Sequence, residues 1–300
     1  MKESTKRVTV YLSSAASVFT LIIAWHWLSG SAEPDVKFGM SLLSLFALFF
    51  LVFSIIQEYR YSHKSRYLQA LPYINKIYQL YYTVSEASIT NIETITLTME
   101  KICDNMSHAF NLITNTHCAA CIKMLSDIPG KTGRDFEITV KTVCRDSLSN
   151  WRQTKHSDIE HRIDRNTDFY EIFRNFTKPN GRAFFCNNLP ARHDYRNTSF
   201  DVYGRGEPKE VPVICIRNLA RNIQWSLPYR STIVAAIYPL KPSDDDLLAG
   251  FLCIDSKSRN VFWERYDVDL MINLAAAIYP IVIKLQNIVL QQTKGAEHAE

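Results

Sequence analysis

Two cysteines, Cys118 and Cys121, stand in C-x-x-C spacing, the arrangement in this chain that most invites a metal or redox role. A structural zinc takes four ligands, and no second C-x-x-C is present to complete the set. The pair also lies within His117–Leu125, an apolar run that reads as a buried strand, where positions three apart point to opposite faces. Small apolar side chains in a sheet are the expected role. A redox enzyme using Cys118, Cys121, Cys186 or Cys253 is the alternative from another class. Asp244, Asp245 and Asp246 resemble a metal-binding cluster, but their place between two strand-like runs is that of a solvated hairpin turn. His156 and His161 stand among charges at a spacing that does not share one helical face. The Gly-x-Gly-x-x-Gly, Walker, His-Glu-x-x-His and Gly-x-Ser-x-Gly patterns are all absent. No catalytic residue and no metal ligand are assigned, and the expectation is a protein that is not an enzyme.

The elements that would position any site begin in a membrane. Val8–Leu28 and Phe38–Ile56 contain no Lys, Arg, Asp or Glu, and each matches the ~20 residues of a bilayer-spanning helix. A cleaved signal would have an apolar region of about 7–15 residues and a small-residue cleavage site. The first run is longer, and it ends in Ala24-Trp25-His26-Trp27, bulky aromatics suited to a membrane interface. Lys2, Lys6 and Arg7 precede the first run, whereas Arg60, His63, Lys64 and Arg66 follow the second. The link Ser29–Lys37 carries only Lys37 among basic residues. This bias predicts a two-span hairpin in the cell membrane with both termini cytoplasmic. Ala16, Thr20 and Ala24, with Ser13 and Ser17, set small side chains at four-residue intervals, a face that lets helices approach closely. The formal charge of +4 is too small to imply a nucleic-acid polymer as partner. Seven cysteines in a mostly cytosolic chain read as free thiols.

After a juxtamembrane linker, 57–72, ended by Pro72, the chain reads as helical over Tyr73–Ile113, in two pieces. Ile74, Ile77, Tyr81, Val84 and Ser88 form one seam, and Ile92, Ile95, Met99, Ile102, Met106, Ala109 and Ile113 form another, offset by a stutter. Thr90-x-x-Glu93 is a candidate capping box for the second piece. Such a seam serves equally for coiled-coil pairing between copies or for packing on a sheet. Strand signals follow at His117–Leu125, Glu137–Cys144, Ala183–Cys186, Val213–Ile216, Thr232–Leu240 and Leu248–Asp255, with Arg145–Asn175 helical in patches. Tyr266–Gln291 is a closing helix that Pro280 can bend, and 292–300 is a frayed tail. The expected architecture is α+β: a transmembrane hairpin over 1–56, then one domain over 73–291 with an antiparallel sheet flanked by long helices.

Three pieces carry a family resemblance: Ser231-Thr-Ile-Val-Ala-Ala-Ile-Tyr-Pro-Leu240, Leu248-Ala-Gly-Phe-Leu-Cys-Ile-Asp-Ser256, and Phe262 followed by a helix with Asp269–Ile283. Together they resemble the C-terminal half of a GAF domain, over about sixty residues. The resemblance implies a small-molecule sensor or dimerisation module, with any ligand held between the sheet and the variable middle segment, here about Trp151–Tyr229. That segment supplies Asn166, Asp168, Phe169, Phe185, Asn187, Asn188, Tyr195, Asn197 and Tyr203 as candidate ligand residues. Amides, hydroxyls, aromatics and an Arg can grip a planar heterocycle bearing a phosphate, by stacking and by bidentate donors. The same asparagines also suit caps and turns. One or two of Arg182, Arg192, Arg196, Arg205 and Arg217 are expected to serve the pocket. The cyclic-nucleotide pattern Asn-Lys…Phe…Asp-Glu is not evident, and no Cys-His dipeptide offers a bilin anchor, so the cofactor stays unassigned.

The expectation is a membrane-anchored sensor or effector. Its cytosolic domain binds a small ligand, with nucleotides among the candidate classes, or a partner, and passes a helix rearrangement to the hairpin. Its partners are then the lipid bilayer and further copies of the chain, as a homodimer or higher homo-oligomer. The rival expectation is a ligand-free dimerisation scaffold that recruits a cytosolic partner to the membrane.

Overall fold

The computed structural model describes residues 34–86, 91–126, 138–154, 161–203, 225–243 and 246–297, together with Thr20 and Trp25. The first apolar run lies outside the described residues except for Thr20 and Trp25, both helical. So do Thr90, His156, Val213–Ile216, Arg205, Arg217, Asp244 and Asp245. The chain divides into two compact units, Met1–Arg66 and Tyr67–Glu300.

Helix α1, Pro34–Glu86, carries the second apolar run. In the first unit its Leu45, Phe46, Phe49, Phe50 and Ile55 are all exposed. The apolar helical stretch here, Ser44–Glu58, is shorter than a span; among the described residues only Glu264–Gln292 is long and apolar enough to cross a membrane. The side chains Met271, Leu274, Ile278, Ile281 and Leu285 of that stretch are buried in the core of the second unit, and that burial accounts for its apolar composition.

The segment 57–72, expected as a linker, is helical, and α1 runs through Pro72. A proline inside a helix removes one backbone bond. Here Ala70, Ile74, Ile77 and Val84 are buried in the core, and that packing outweighs the local preference. The second unit accordingly begins at Tyr67, whose hydroxyl donates to Asp267 at 2.5 Å. Helix α2, Ile92–Thr114, is capped by Asn91, not by Thr90: the Asn91 side chain accepts from the Glu93 N–H at 2.9 Å. Its buried residues Ile95, Met99, Ile102, Met106, Ala109 and Ile113 are the predicted seam, and they face the sheet.

The sheet has six strands: β1 Cys118–Leu125, β2 Thr139–Arg145, β3 His161–Arg162, β4 Ala183–Cys186, β5 Ser231–Ile237 and β6 Gly250–Ser256. All pairings are antiparallel, in the order β3-β2-β1-β6-β5-β4. Short helices α3 (Trp151–Thr154), α4 (Thr167–Asn175) and α5 (Ser199–Val202) fall in the middle segment, and α6, Glu264–Glu297, closes the chain. The central strands β5 and β6 are buried at every position because both faces of the sheet are covered. One face, with Ala120, Ile122, Ile233, Ala235 and Ile254, packs on Tyr67–Glu86 of α1, on α2 and on α6. The other, with Cys121, Val234, Phe251 and Cys253, packs on Ile163, Phe169, Ile172, Tyr195, Phe200 and Trp225 of the middle segment. Cys118 and Cys121 belong to opposite cores, as strand alternation requires.

At the edge of β6, Gly250 passes so close to β1 that an added Cβ would lie 2.0 Å from the Lys123 carbonyl oxygen. Backbone cannot yield as a flexible side chain does, so Gly250→Ala is expected to cost about 2–3 kcal/mol. A lowered midpoint in chemical denaturation of the full chain in detergent checks it, and an unchanged midpoint refutes the close approach.

Candidate functional site

Strand register gathers the polar groups of the second face. Cys121 lies opposite Arg145 on β2 and opposite Cys253 on β6, which lies opposite Val234 on β5. One row along, Asp255 lies opposite Thr232, and one row the other way Lys123 lies opposite Thr142. The pairing of β1 with β2 shifts by one residue: Ile122 faces Cys144 and Lys123 faces Thr142, so the register steps over Val143. Strict alternation would put Thr142 and Cys144 on one face. With the irregularity, Thr142 and Arg145 share the cleft face, while Cys144 turns to the helix core, its sulfur 3.8 Å from that of Cys103.

Asp146 fixes the exit from β2. Its carboxylate accepts from the Ala120 N–H at 2.8 Å and the Ser149 N–H at 3.0 Å, and from the Ser149 hydroxyl. The chain then delivers Arg152 on α3, whose Nη1 donates to both oxygens of Asp255 at 2.9 Å in a buried ion pair. The middle segment closes the other side: His161 Nδ1 is 2.6 Å from the Thr198 hydroxyl, and Tyr195 donates to Asp168 at 3.1 Å. Asn197 donates to the hydroxyls of Tyr195, at 3.0 Å, and Tyr229, at 3.2 Å. The result is a cleft of about 80 Å³, room for several waters or a compact ligand group.

Electrostatically the cleft is mixed. Lys123, Arg145 and Arg152 face Asp168 and Asp255. Burial lowers the Lys123 ammonium, which donates to Thr142 at 2.7 Å, and holds His161 well below its usual range, so the ring is neutral. A hydrogen bond with Cys253 brings the Cys121 thiol down to about 6 against its burial, with Arg145 and Lys123 adding to the lowering. Burial raises Asp168 to about 6, against the hydrogen bonds from Phe169 N–H and Tyr195.

Of the residues the sequence singled out, Asp168, Phe169, Asn197 and Tyr203 line this cleft. Tyr195 stands behind Asp168. Asn166 is wholly buried and holds Arg162 and Thr198 instead. Asn187 is occupied with the backbone of Phe262, Phe185 packs on the helix side, and Asn188 heads a short 3-10 turn. Of the expected arginines that are described, Arg182 sits on the carbonyls of Pro239 and Leu240, and Arg192 on Glu171 and Asp194. Arg196 borders, with Arg165, Thr198 and Asp201, a more open pocket that shares Asn197 with the cleft. Lys123, Thr142, Arg145, Arg152, His161, Ser199 and Tyr229 were missed. A lysine inside the apolar run His117–Leu125 was the available signal for Lys123; for Arg145 there was none, because it depends on the register shift. Among the described residues no group of His, Cys, Asp and Glu is arranged to hold a metal ion.

An antiparallel sheet in this order with long helices on one face fits a GAF-like α+β fold. Among solved structures, the chain is similar to the GAF domain of an Acinetobacter phosphoenolpyruvate-protein phosphotransferase, at 10% identity over 73% of this chain and 96% of that one, with a TM-score of 0.42. It is also similar to the GAF domain of the corresponding Coxiella burnetii protein, at 15% identity over 76% and 98%, TM-score 0.37. A far-red absorbing dark-state protein with bound biliverdin IXa matches at 15% identity over 73% and 98%, TM-score 0.36. No family model and no curated protein matches the chain.

The folded carboxyl of Asp168 titrates near 6, above its ordinary 3.8, so its contribution to stability is full below 3.8 and is lost as pH rises through 6. Asp168→Asn is therefore expected to be more stable than wild type at pH 7, by about 1–3 kcal/mol. The gap closes as the pH is taken down to 4. Denaturation midpoints of both proteins across this range check it, and a pH-independent gap would contradict a buried, strained carboxylate.

Proposed function

We propose that this chain is a membrane-anchored sensor whose GAF-like unit binds a small molecule in the cleft between the second face of the sheet and the middle segment. The observation that carries the reading is the cleft itself. Charged and hydrogen-bonding groups from β1, β2, β6, α3, α4 and the 195–203 stretch converge on one concavity, with Phe169 and Tyr229 as flat apolar walls. Building such a place in a core is costly, because each buried polar group there could have been an aliphatic one.

The anchor is part of the same proposal. Its support is the apolar stretch of α1, with Phe46, Phe49 and Phe50 exposed, together with the charge bias around both apolar runs. The output is conformational and not chemical: a ligand that alters the sheet would alter the packing of Tyr67–Glu86, α2 and α6 on its other face, and copies of the chain would rearrange in the bilayer.

The full chain, purified in detergent micelles, is to be screened by thermal shift against nucleotides, cyclic nucleotides and common metabolites. A ligand that binds only the folded state stabilises by about 2.7 kcal/mol at a hundredfold excess over its Kd. A midpoint raised by one compound class supports the sensor, and silence across the panel with a stable dimer favours the scaffold. In cell lysates the chain should sediment with membranes and resist high-salt washing. Release by salt alone would remove the anchor.

A further inference from the structure

We propose that the cleft is an oxyanion site in which Arg145, with Lys123 beside it, takes the phosphate or carboxylate group of a small molecule. The proposal rests on the cleft being a ligand site, and it names the chemistry of the ligand.

Arg145 is the cleft group whose hydrogen-bond donors are least answered: the charges of Cys121, Asp255 and Asp146 favour its cation, but none of them accepts from its Nε or Nη1. Its Nε and Nη1 are shut off from solvent and have no hydrogen-bond partner among the described residues. A guanidinium does not shed its proton in a protein, so burial leaves the charge in place and the donors unmet. The neighbouring acceptors are already committed. Both oxygens of Asp255 take Nη1 of Arg152. Asp168 accepts from the Phe169 N–H and from Tyr195. Thr142 takes one of the three donors of Lys123. Nε of Arg152 is buried without a partner as well. The cleft therefore sets Lys123, Arg145 and Arg152 against Asp168, Asp255 and the Cys121 sulfur, with donor hydrogens in excess of oxygen acceptors. What completes it is a group with several acceptor oxygens and a negative charge, and a forked donor is the side chain best shaped for such a group.

One internal answer exists. Cys121 lies directly across the sheet from Arg145, and its thiolate would be a counter-ion without any ligand. Sulfur is a poor match for a planar fork of N–H donors, and the Cys121 sulfur accepts from neither Nε nor Nη1 of Arg145, so we assign the site to an external oxyanion.

Wild type, Arg145→Gln and Cys121→Ser are compared as full chains in micelles, in sodium phosphate, sodium acetate and sodium chloride at equal ionic strength. Phosphate favours folded proteins by surface exclusion, so the readout is the difference between proteins in one salt. The midpoints of wild type and Cys121→Ser should rise in phosphate or acetate by about 3 °C more than that of Arg145→Gln. The stronger of the two salts identifies the group. In chloride Arg145→Gln should be at least as stable as wild type, since it removes buried donors that have no partner. A rise that persists in Arg145→Gln, a rise lost in Cys121→Ser, no rise in wild type, or a Gln variant less stable in chloride overturns the assignment. Should the Gln variant fail to fold, Arg145→Lys decides: it keeps the charge and loses the fork, so phosphate should bind about tenfold more weakly, and unchanged binding is fatal. If neutral members of the metabolite panel shift wild type while both anions do not, the oxyanion assignment fails and the cleft stands as a ligand site. If neither does, both fail together.

Discussion

The register between β1 and its two neighbours is the constraint on which the second unit depends. Along β6 it runs in unbroken step from Cys118 opposite Ser256 to Met124 opposite Gly250, and along β2 it slips by one residue at Val143. In a sheet buried on both faces, register decides the content of each core, since a slip of one residue exchanges them. The unbroken side keeps Ala120, Ile122 and Ile254 toward the helices. The slipped side puts Cys144 among them and leaves Arg145 on the other face. Without that slip the cleft would lose the unmet donors of Arg145 and the helix core would gain a cation.

The two cores differ in kind. The helix side is nearly all aliphatic, with Ile, Leu, Met and Ala from three helices against small strand residues, and its polar members satisfy backbone: Ser107 donates to the Cys118 carbonyl at 2.7 Å, and Gln286 to the Ala249 carbonyl at 3.0 Å. The cleft side is aromatic and mixed. Phe169 stacks on Phe251 at 4.7 Å between ring centroids, and Phe200 meets Trp225 edge-on at 5.1 Å. The aliphatic layer gives the sheet a stable floor, so the other layer can tolerate buried charge and a raised carboxyl.

Periodicity made the helix side legible in advance. The seams of α2 and α6 and the strands at Ala183–Cys186, Ser231–Ile237 and Gly250–Ser256 are patterns of apolar spacing, and packing on one layer imposes such patterns. Two features of that side were hidden. Helix α1 passes through Pro72 because tertiary burial outweighs a missing hydrogen bond, and the cap of α2 falls on Asn91, one residue past the expected Thr90. The cleft was legible only in part. Asp168, Phe169, Asn197 and Tyr203 come from the middle segment, where polar residues stand out in composition. Lys123 is a lone charge in an apolar run, whereas Arg145 stands beside Asp146 and Arg152 beside Gln153 in a polar stretch, and only three-dimensional pairing makes them a group.

The buried pair of Arg152 and Asp255 ties the chain leaving β2 back onto β6, and Arg152 is also a wall of the cleft. Opening that wall separates two ions out of reach of water, a step that costs several kcal/mol when neither finds a new partner. The turn after β2 is thus held to β6 by charge as well as by the strand ladder, and neither ion can be removed without stranding the other.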